Sequence, residues 1–296
     1  MRQFYRAIPF KRPIFEILRK AATLPPGLYQ HLHFEGPFEI AIDARHSFRM
    51  TGYGDALENE LFWGGFGGSW EQMSLRLWLT LCRASEQTII DVGANTGVYS
   101  LAAAAVAPGA NIIAFEPIAR IADRIADNAR QNGFPIHIIR TAVSDQVGTL
   151  PIFDTTESVN YSASLENSLE NTISYPVEVT TLDGFLANRG RSQLPVHAIK
   201  IDVETHEPAV IRGFLETLER DRPAILIEIL NEQIGDDIAQ LVSRFGYRWF
   251  HVHEEEGLIE TDRLRPVGSR NWNHLLCPQD KFEAAGLTNL LATRES

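Results

Sequence analysis

Cysteine is scarce in this chain of 296 residues: Cys82 and Cys277 are the only two, far apart and both in apolar surroundings. They form no C-x-x-C pair, so zinc and redox spacings are absent and buried thiols in a reducing compartment are expected. No apolar run approaches the ~18 residues of a membrane span. The N-terminus lacks the uninterrupted apolar region of a secretory signal, so the expected location is cytoplasmic. Basic residues are in deficit, 27 Lys and Arg against 38 Asp and Glu, for a net charge of −11. Broad nucleic-acid binding needs Lys and Arg against phosphates, so that class is disfavoured. The sequence also lacks an Asn/Asp-Pro-Pro-aromatic box and the G-x-G-x-x-G dinucleotide fingerprint, which argues against nucleic-acid methylation and nicotinamide chemistry. What remains is an ordinary soluble composition, 44% hydrophobic and 22% charged, long enough for one large domain or two small ones.

The stretch around which the chain is organised is Thr88–Ser100. Thr88-Ile89-Ile90-Asp91-Val92 reads as a buried parallel strand, Gly93-Ala94-Asn95-Thr96-Gly97 as a turn, and Tyr99 to Val106 as a helix. Strand, small-residue turn and helix N-terminus form a ligand-binding corner in an open α/β sheet. Gly93 and Gly97 are expected to let backbone approach a ligand closely. The acid Asp91 at the strand end suits a ligand with a positive amino group, such as an amino acid or S-adenosylmethionine. Asn111–Pro117 is a second strand ending in Glu116, 19 residues beyond Gly97. That is where α/β nucleotide sites place the carboxylate that accepts from ribose hydroxyls. Residues 118–132 have helical spacing. After a third strand, Ile136–Ile139, the loop Ala142-Val143-Ser144-Asp145 is placed to meet an adenine edge; Asp145 reads equally well as a turn residue before Gly148.

The alternation continues. Strand-like ends at 150–153 and 177–181 enclose a polar stretch, 154–174, either a substrate loop or surface filler. A short helix, 182–189, precedes the strand Val196–Asp202. Asp202, Glu204, His206 and Glu207 then place three carboxylates and an imidazole at a strand's carboxyl end, where α/β chemistry gathers. Each has a structural alternative: Glu207 as a helix cap, Glu204 paired with Lys200 or an arginine, His206 merely exposed. Ala224–Leu230 is a further buried strand with one acid, Glu228, which needs a partner, a ligand or a place near the strand end. A helix over 234–245 and strands at 247–252 and 272–277 complete the pattern.

The first twenty residues differ from the rest, with six basic residues (Arg2, Arg6, Lys11, Arg12, Arg19, Lys20) against one acid, Glu16. Aromatic and aliphatic residues are interleaved, and Pro9 and Pro13 are expected to break any long helix. The segment reads either as an interfacial element touching a membrane or anionic partner, or as an arm packed on the body or on a second subunit of a homo-oligomer. Residues 35–54 alternate like a hairpin. Leu61–Trp70 is a glycine-aromatic loop, read as a lid or as a tight connection with its aromatics in the core. Residues 71–83 have helical spacing.

Taken in order, Ile90–Gly97, Phe115-Glu116-Pro117, Asn128 with Asn132, Ala142–Asp145, Thr181-Leu182-Asp183, Ile199–Glu204 and Leu226-Ile227-Glu228 make the chain resemble the FkbM family of class I S-adenosylmethionine-dependent methyltransferases. The resemblance covers about residues 70–280. It implies a Rossmann-like, seven-stranded, mostly parallel sheet with helices on both faces and a reversed last strand. It divides the chain into an N-terminal arm and hairpin, 1–70, and a methyltransferase domain, 71–296. It implies S-adenosylmethionine held by Glu71, Asp91, Gly93, Ala94, Asn95, Thr96, Gly97, Glu116, Pro117, Ser144 and Asp145, and methyl transfer to a hydroxyl of a sugar, glycan or natural product. N-methyl transfer, or cofactor binding without transfer, are the rival functions. Because an alcohol must lose its proton, Asp202 or His206 is the expected base, with Glu204 and Glu207 orienting the acceptor. A Mg²⁺ held by Asp202, Glu228 and Asn231 is the alternative activation. In one place the chain departs from the family: Thr205 stands where the family has glycine after Asp-Val-Glu.

Overall fold

The computed structural model describes residues 11–21, 24–68, 70–83, 85–155, 163–165, 172–189, 195–268 and 271–292. The expectations for residues 1–10 and for most of 154–174 therefore lie outside the described residues. The chain starts with helices α1 (Lys11–Ala21) and α2 (Pro26–Tyr29), the hairpin β1 (Glu35–Ala41) and β2 (Ser47–Tyr53), and helices α3 (Ala56–Gly64) and α4 (Gln72–Arg83). Pro13 does not break α1. It lies in the first turn, where the missing N–H would have had no intrahelical acceptor. The glycine-aromatic stretch is also more ordered than a loop: Leu61, Phe62 and Trp63 are buried on α3, and Phe62 stacks on Phe34 with centroids 3.8 Å apart. Its aromatics are core residues and not a lid.

The α/β alternation follows: β3 (Thr88–Val92), α5 (Val98–Val106), β4 (Asn111–Phe115), α6 (Ala119–Asn132), β5 (His137–Ile139) and β6 (Ala142–Val143). Then come β7 (Gly148–Thr155), β8 (Ala163–Ser164), β9 (Thr172–Thr180), α7 (Leu182–Asn188), β10 (Val196–Ile201), α8 (Glu207–Arg212) and α9 (Leu215–Asp221). The chain continues with β11 (Ala224–Glu228), α10 (Glu232–Val242), β12 (Arg248–His253), β13 (Gly257–Thr261), β14 (Asn273–Cys277) and α11 (Gln279–Ala284). Eight strands form the main sheet in the order β13-β12-β14-β11-β10-β3-β4-β5. β3, β4, β5, β10 and β11 run parallel, and β14 is inserted antiparallel between β11 and β12. β12 therefore points the same way as the parallel set, and β13 adds an antiparallel edge. This is the expected seven-stranded sheet with a reversed last strand, plus β13, which the sequence reading did not anticipate. β6, β7, β8 and β9 form a separate small sheet.

The strand run Thr88–Val92 is buried throughout because helices cover both faces. One hydrophobic cluster takes in α4, α5, the hairpin and α3, from Phe34 and Phe62 through Trp78 to Leu258. The other lies beneath α7 to α10. No break in packing falls at residue 70, since the hairpin and α3 share a core with α4 and α5. Among the described residues, no helix is long and apolar enough to cross a membrane.

The hairpin is tied down by the two asparagines of α6 that the family pattern singled out. Asn132 Oδ1 accepts from the Arg49 N–H at 2.7 Å while its Nδ2 donates to the Arg49 carbonyl at 2.6 Å. Asn128 Oδ1 accepts from the Thr51 N–H at 2.9 Å. The side-chain amides thus stand in for a neighbouring strand along the free edge of β2. Asn128 is 1% exposed, so Asn128→Ala strands a partly buried donor and is expected to cost about 1–3 kcal/mol. Asn132→Ala, at a more exposed pair, should cost less. Thermal unfolding, with faster hydrogen exchange of the Thr51 amide, checks this.

Candidate active site

The chain's order of strands reverses beside β3, which is followed outward by β4 and β5 before the chain returns to β10 on its other side. Ligands in open α/β sheets lie at such a point, outside the carboxyl ends of the strands. Here the loops after β3 and β10 touch. Gly93 has φ +77, and a Cβ on it would stand 1.8 Å from the Asp202 carbonyl oxygen. Gly97, at φ +84, would press a Cβ to 2.9 Å from Ile125 Cγ2. At both glycines the atoms that a side chain would meet first belong to the protein, and Gly93 also lines the cleft described below.

The carboxyl edge is lined with acids. Asp91 lies in β3, Glu116 follows β4, Asp202 follows β10, Glu228 ends β11 and Glu254 follows β12. One buried cation answers several of them. Lys200 Nζ donates to Asp202 Oδ2 at 2.7 Å, lies opposite Asp91 in strand register, and stands 4.5 Å from the centroid of the Tyr99 ring. Burial alone would lower the pKa of Lys200, yet Asp202, Glu71 and Asp91 together raise it. Tyr99 donates its hydroxyl to Glu71, whose pKa burial pushes up to about 7 against the opposing pull of Lys200. Ser100 Oγ donates to Asp91 Oδ2 at 2.6 Å; burial raises the pKa of Asp91, again against Lys200. Glu254, 181 residues downstream of Met73, caps the start of α4 by accepting from the Met73 N–H and the Ser74 hydroxyl, both at 2.6 Å.

Beside this cluster opens a cleft of about 700 Å³, part of it open to solvent. Gly93, Asn95, Glu116 and Pro117 line it on the side of β3 and β4, and Asp202 and Glu204 on the side of β10. Its far wall is apolar: Ile118 and Ile121 from α6, and Ile152 and Leu165 from the small sheet. Glu116 is 5% exposed and accepts from the Asn95 N–H at 3.0 Å and the Ile118 N–H at 2.9 Å. Burial raises its pKa to about 7 in spite of these bonds. A carboxylate has about four acceptor positions, so it retains capacity for a donor in the cleft. Asp91 Oδ1 and Thr96 Oγ1 are buried without a hydrogen-bond partner.

Asp91, Ala94, Thr96, Gly97 and Glu71 are not among the residues that line the cleft. Ser144 Oγ is 3.0 Å from His206 Nε2, and Asp145 bonds Arg212 at 2.9 Å, which lowers its pKa. The cleft wall is instead made one step earlier, by Thr141, Ala142 and Val143. Glu207 is fully buried; its Oε1 accepts from the Val203 N–H at 3.1 Å, and burial raises its pKa to about 7. It braces the turn before α8 and does not cap the helix, whose start has no side-chain cap bond. The Mg²⁺ donor set does not fit. Lys200 holds Asp202 Oδ2, and Asn231 is an exposed helix cap accepting from the Ile234 N–H at 3.0 Å. Among the described residues no group of three or more His, Cys, Asp or Glu is placed to hold a metal ion. Lys200 was read in the sequence only as a partner for Glu204, and Glu254 was missed. A lysine inside a buried strand is itself a signal, because burial requires paired acids. Glu254 carries no local signal at all.

A doubly wound sheet with this strand order, a glycine turn after its first parallel strand and an acid after the second define a class I methyltransferase. The methyltransferase FkbM domain family matches residues 91–249, and the chain belongs to that family. Over 177 residues, 58% of this chain and 68% of the relative, it is 27% identical to the hexuronic acid methyltransferase AglP of Haloferax volcanii. Among solved structures it is similar to a methyltransferase FkbM from Methylobacillus flagellatus KT, at 14% identity and a TM-score of 0.39, covering 64% of this chain and 43% of the other. A putative SAM-dependent methyltransferase from Streptococcus mutans gives 12% identity and a TM-score of 0.43, covering 82% of this chain and 55% of the other.

Two predictions follow from the site's geometry. Thr205 has φ +82, a conformation that disfavours any side chain. Thr205→Gly is expected to raise stability by about 0.5–1 kcal/mol, the relieved strain exceeding the extra chain entropy, as read by thermal unfolding. Glu228 has an ordinary pKa of 4.5, raised in the fold. As pH rises above 4.5 the unfolded chain releases this proton while the fold retains it, so the native state loses stability. Glu228→Gln removes that loss. Its stability advantage over the wild type should be absent in acid and grow to about 1–3 kcal/mol by neutral pH, measured by denaturant titration at each pH.

Proposed function

We propose that this chain is an S-adenosylmethionine-dependent O-methyltransferase whose acceptor is a hydroxyl of a sugar, free or within a glycan. The observation that carries the reading is Glu116: a buried acid on the cleft lining, fixed by two backbone N–H groups and with acceptor capacity left for a vicinal diol. The Gly93–Asn95 turn then borders the methionine part, and Thr141, Ala142, Ile152 and Leu165 supply an apolar wall for adenine. The partnerless oxygens of Asp91 and Thr96 beside the turn agree with a polar, charged occupant. When bound, the donor supplies a methyl group on a positively charged sulfur. The chain's own work is positioning, which can provide most of the rate, and removal of the acceptor's proton.

Of the four residues considered for that step, Asp202 and Glu204 reach the cleft. Lys200 occupies Asp202 Oδ2, so Oδ1 is the oxygen that receives the hydroxyl proton, with Glu204 orienting the acceptor. His206 and Glu207 hold the turn through Ser144 and the Val203 N–H and are not bases in this reading. No metal takes part. The Haloferax relative bears the name of a hexuronic acid methyltransferase, which supports a sugar acceptor here.

The test combines donor titration calorimetry with transfer of labelled methyl to a panel of hexoses and hexuronic acids. Glu116→Ala should weaken donor binding at least about tenfold. Asp202→Asn should keep donor affinity and lose about 10²–10⁴ in kcat. Excess chelator should leave turnover unchanged. Transfer to amines alone, binding without transfer to any acceptor, or full turnover by Asp202→Asn would each overturn its part of the assignment.

A further inference from the structure

Helix α1 is fastened to the body through one apolar residue, Phe15, and two arginines: Arg12 donates to the Pro37 carbonyl at 3.2 Å, and Arg19 donates to the Glu39 carbonyl at 3.0 Å, both along β1. The Arg19 guanidinium lies 4.9 Å from the centroid of the Phe62 ring, and Phe15 packs on Trp63 at 5.3 Å. These contacts fix the helix about its own axis. They leave Ile14, Ile17 and Leu18, at i, i+3 and i+4 and hence on one face, pointing outward with exposures of 49%, 67% and 37%. Arginines have been spent on backbone carbonyls while three aliphatic side chains stay in water.

In sequence the helix belongs to a basic segment: the first twenty residues carry six basic residues against Glu16 alone, in a chain of net charge −11. Arg12 pairs with Glu16, Arg19 is turned inward, and Lys20 is exposed beside the stripe. A second copy docked symmetrically here would set basic segment against basic segment. An anionic lipid surface complements both features, taking up the aliphatic stripe and attracting the bases.

The geometry points to α1 as a peripheral attachment site for an anionic membrane surface. It lies in the interface with Ile14, Ile17 and Leu18 in the acyl boundary, while Arg12 and Arg19 keep it fastened to the body. This inference does not depend on methyl transfer, and its test reads binding alone. The full chain is sedimented with vesicles of phosphatidylcholine mixed with phosphatidylserine, and with vesicles of phosphatidylcholine alone. Binding is expected to the mixed vesicles, to weaken with added salt, and to fall at least about tenfold in the Ile17→Asp/Leu18→Asp variant, whose melting temperature should be unchanged because both sites are exposed. Ile14→Asp serves as a second reading should the double variant melt early, and Lys20→Glu should weaken binding to the mixed vesicles only. Equal binding to both vesicle types, no binding to either, or a dimer in sedimentation velocity that these substitutions dissociate would overturn it.

Discussion

Two loops meet at the carboxyl edge of the sheet with no room for a side chain between them, and the rest of the site depends on that approach. Gly93 carries φ +77 and faces the Asp202 carbonyl, so shape excludes a side chain there and the backbone angle disfavours one as well. The contact is reinforced by the Asp202 N–H donating to the Val92 carbonyl at 3.0 Å, and by the Gly93 and Ala94 N–H groups donating to the Phe115 carbonyl. Three strand ends are thereby locked together, which sets Asp91, Glu116 and Asp202 at fixed separations. Several carboxylates brought so close in a dry place cannot all be ionised without a cation. Lys200 supplies it, and burial raises the pKa values of Asp91, Glu71 and Glu228 against its pull.

The additions to the core sheet act as walls. The small sheet of β6 to β9 puts Ile152 and Leu165 across the cleft from Glu116, with Ile118 and Ile121 of α6 between. On the other side of α6, Asn128 and Asn132 hold the hairpin, and Arg124 bonds Asp55 at 2.9 Å while lying 4.1 Å from the centroid of the Tyr53 ring. Helix α6 thus joins the cleft to the N-terminal region, and its register is constrained from both sides.

Most of the architecture was legible because burial on both faces leaves unbroken aliphatic runs, and those of β3, β4, β10 and β11 are plain in the sequence. The acids closing them were legible for the same reason, since a lone carboxylate beside such a run has to be explained. Long-range partners were not legible. Ser144 and Asp145 follow directly on the lining residues Thr141, Ala142 and Val143, and His206 and Arg212 bond these two side chains from 62 and 67 residues away. Glu254 was unreadable for the same reason, its partners Met73 and Ser74 lying across the whole chain. The α3 helix was hidden by the glycines just beyond it, whose weak propensity masks Leu61-Phe62-Trp63, a segment that packing makes helical.

The turn after β10 shows how far such long-range bonds can override local preference. Glu204 and Thr205 are consecutive non-glycine residues at φ +54 and +82, a pair that costs about 1–3 kcal/mol at each position. Such strain persists only where the surroundings over-determine the backbone. Here they do: the Asp202 N–H is fixed to Val92, the Val203 N–H to Glu207 Oε1, and His206 to Ser144. Thr205 holds a conformation that favours glycine. A turn under no constraint would relax away from it. Its retention beside the two acids that reach the cleft means that the bonds around it hold Asp202 and Glu204 in place at a continuing cost in backbone energy, and the buried Glu207, which joins the turn to α8, is the residue through which that hold is exerted.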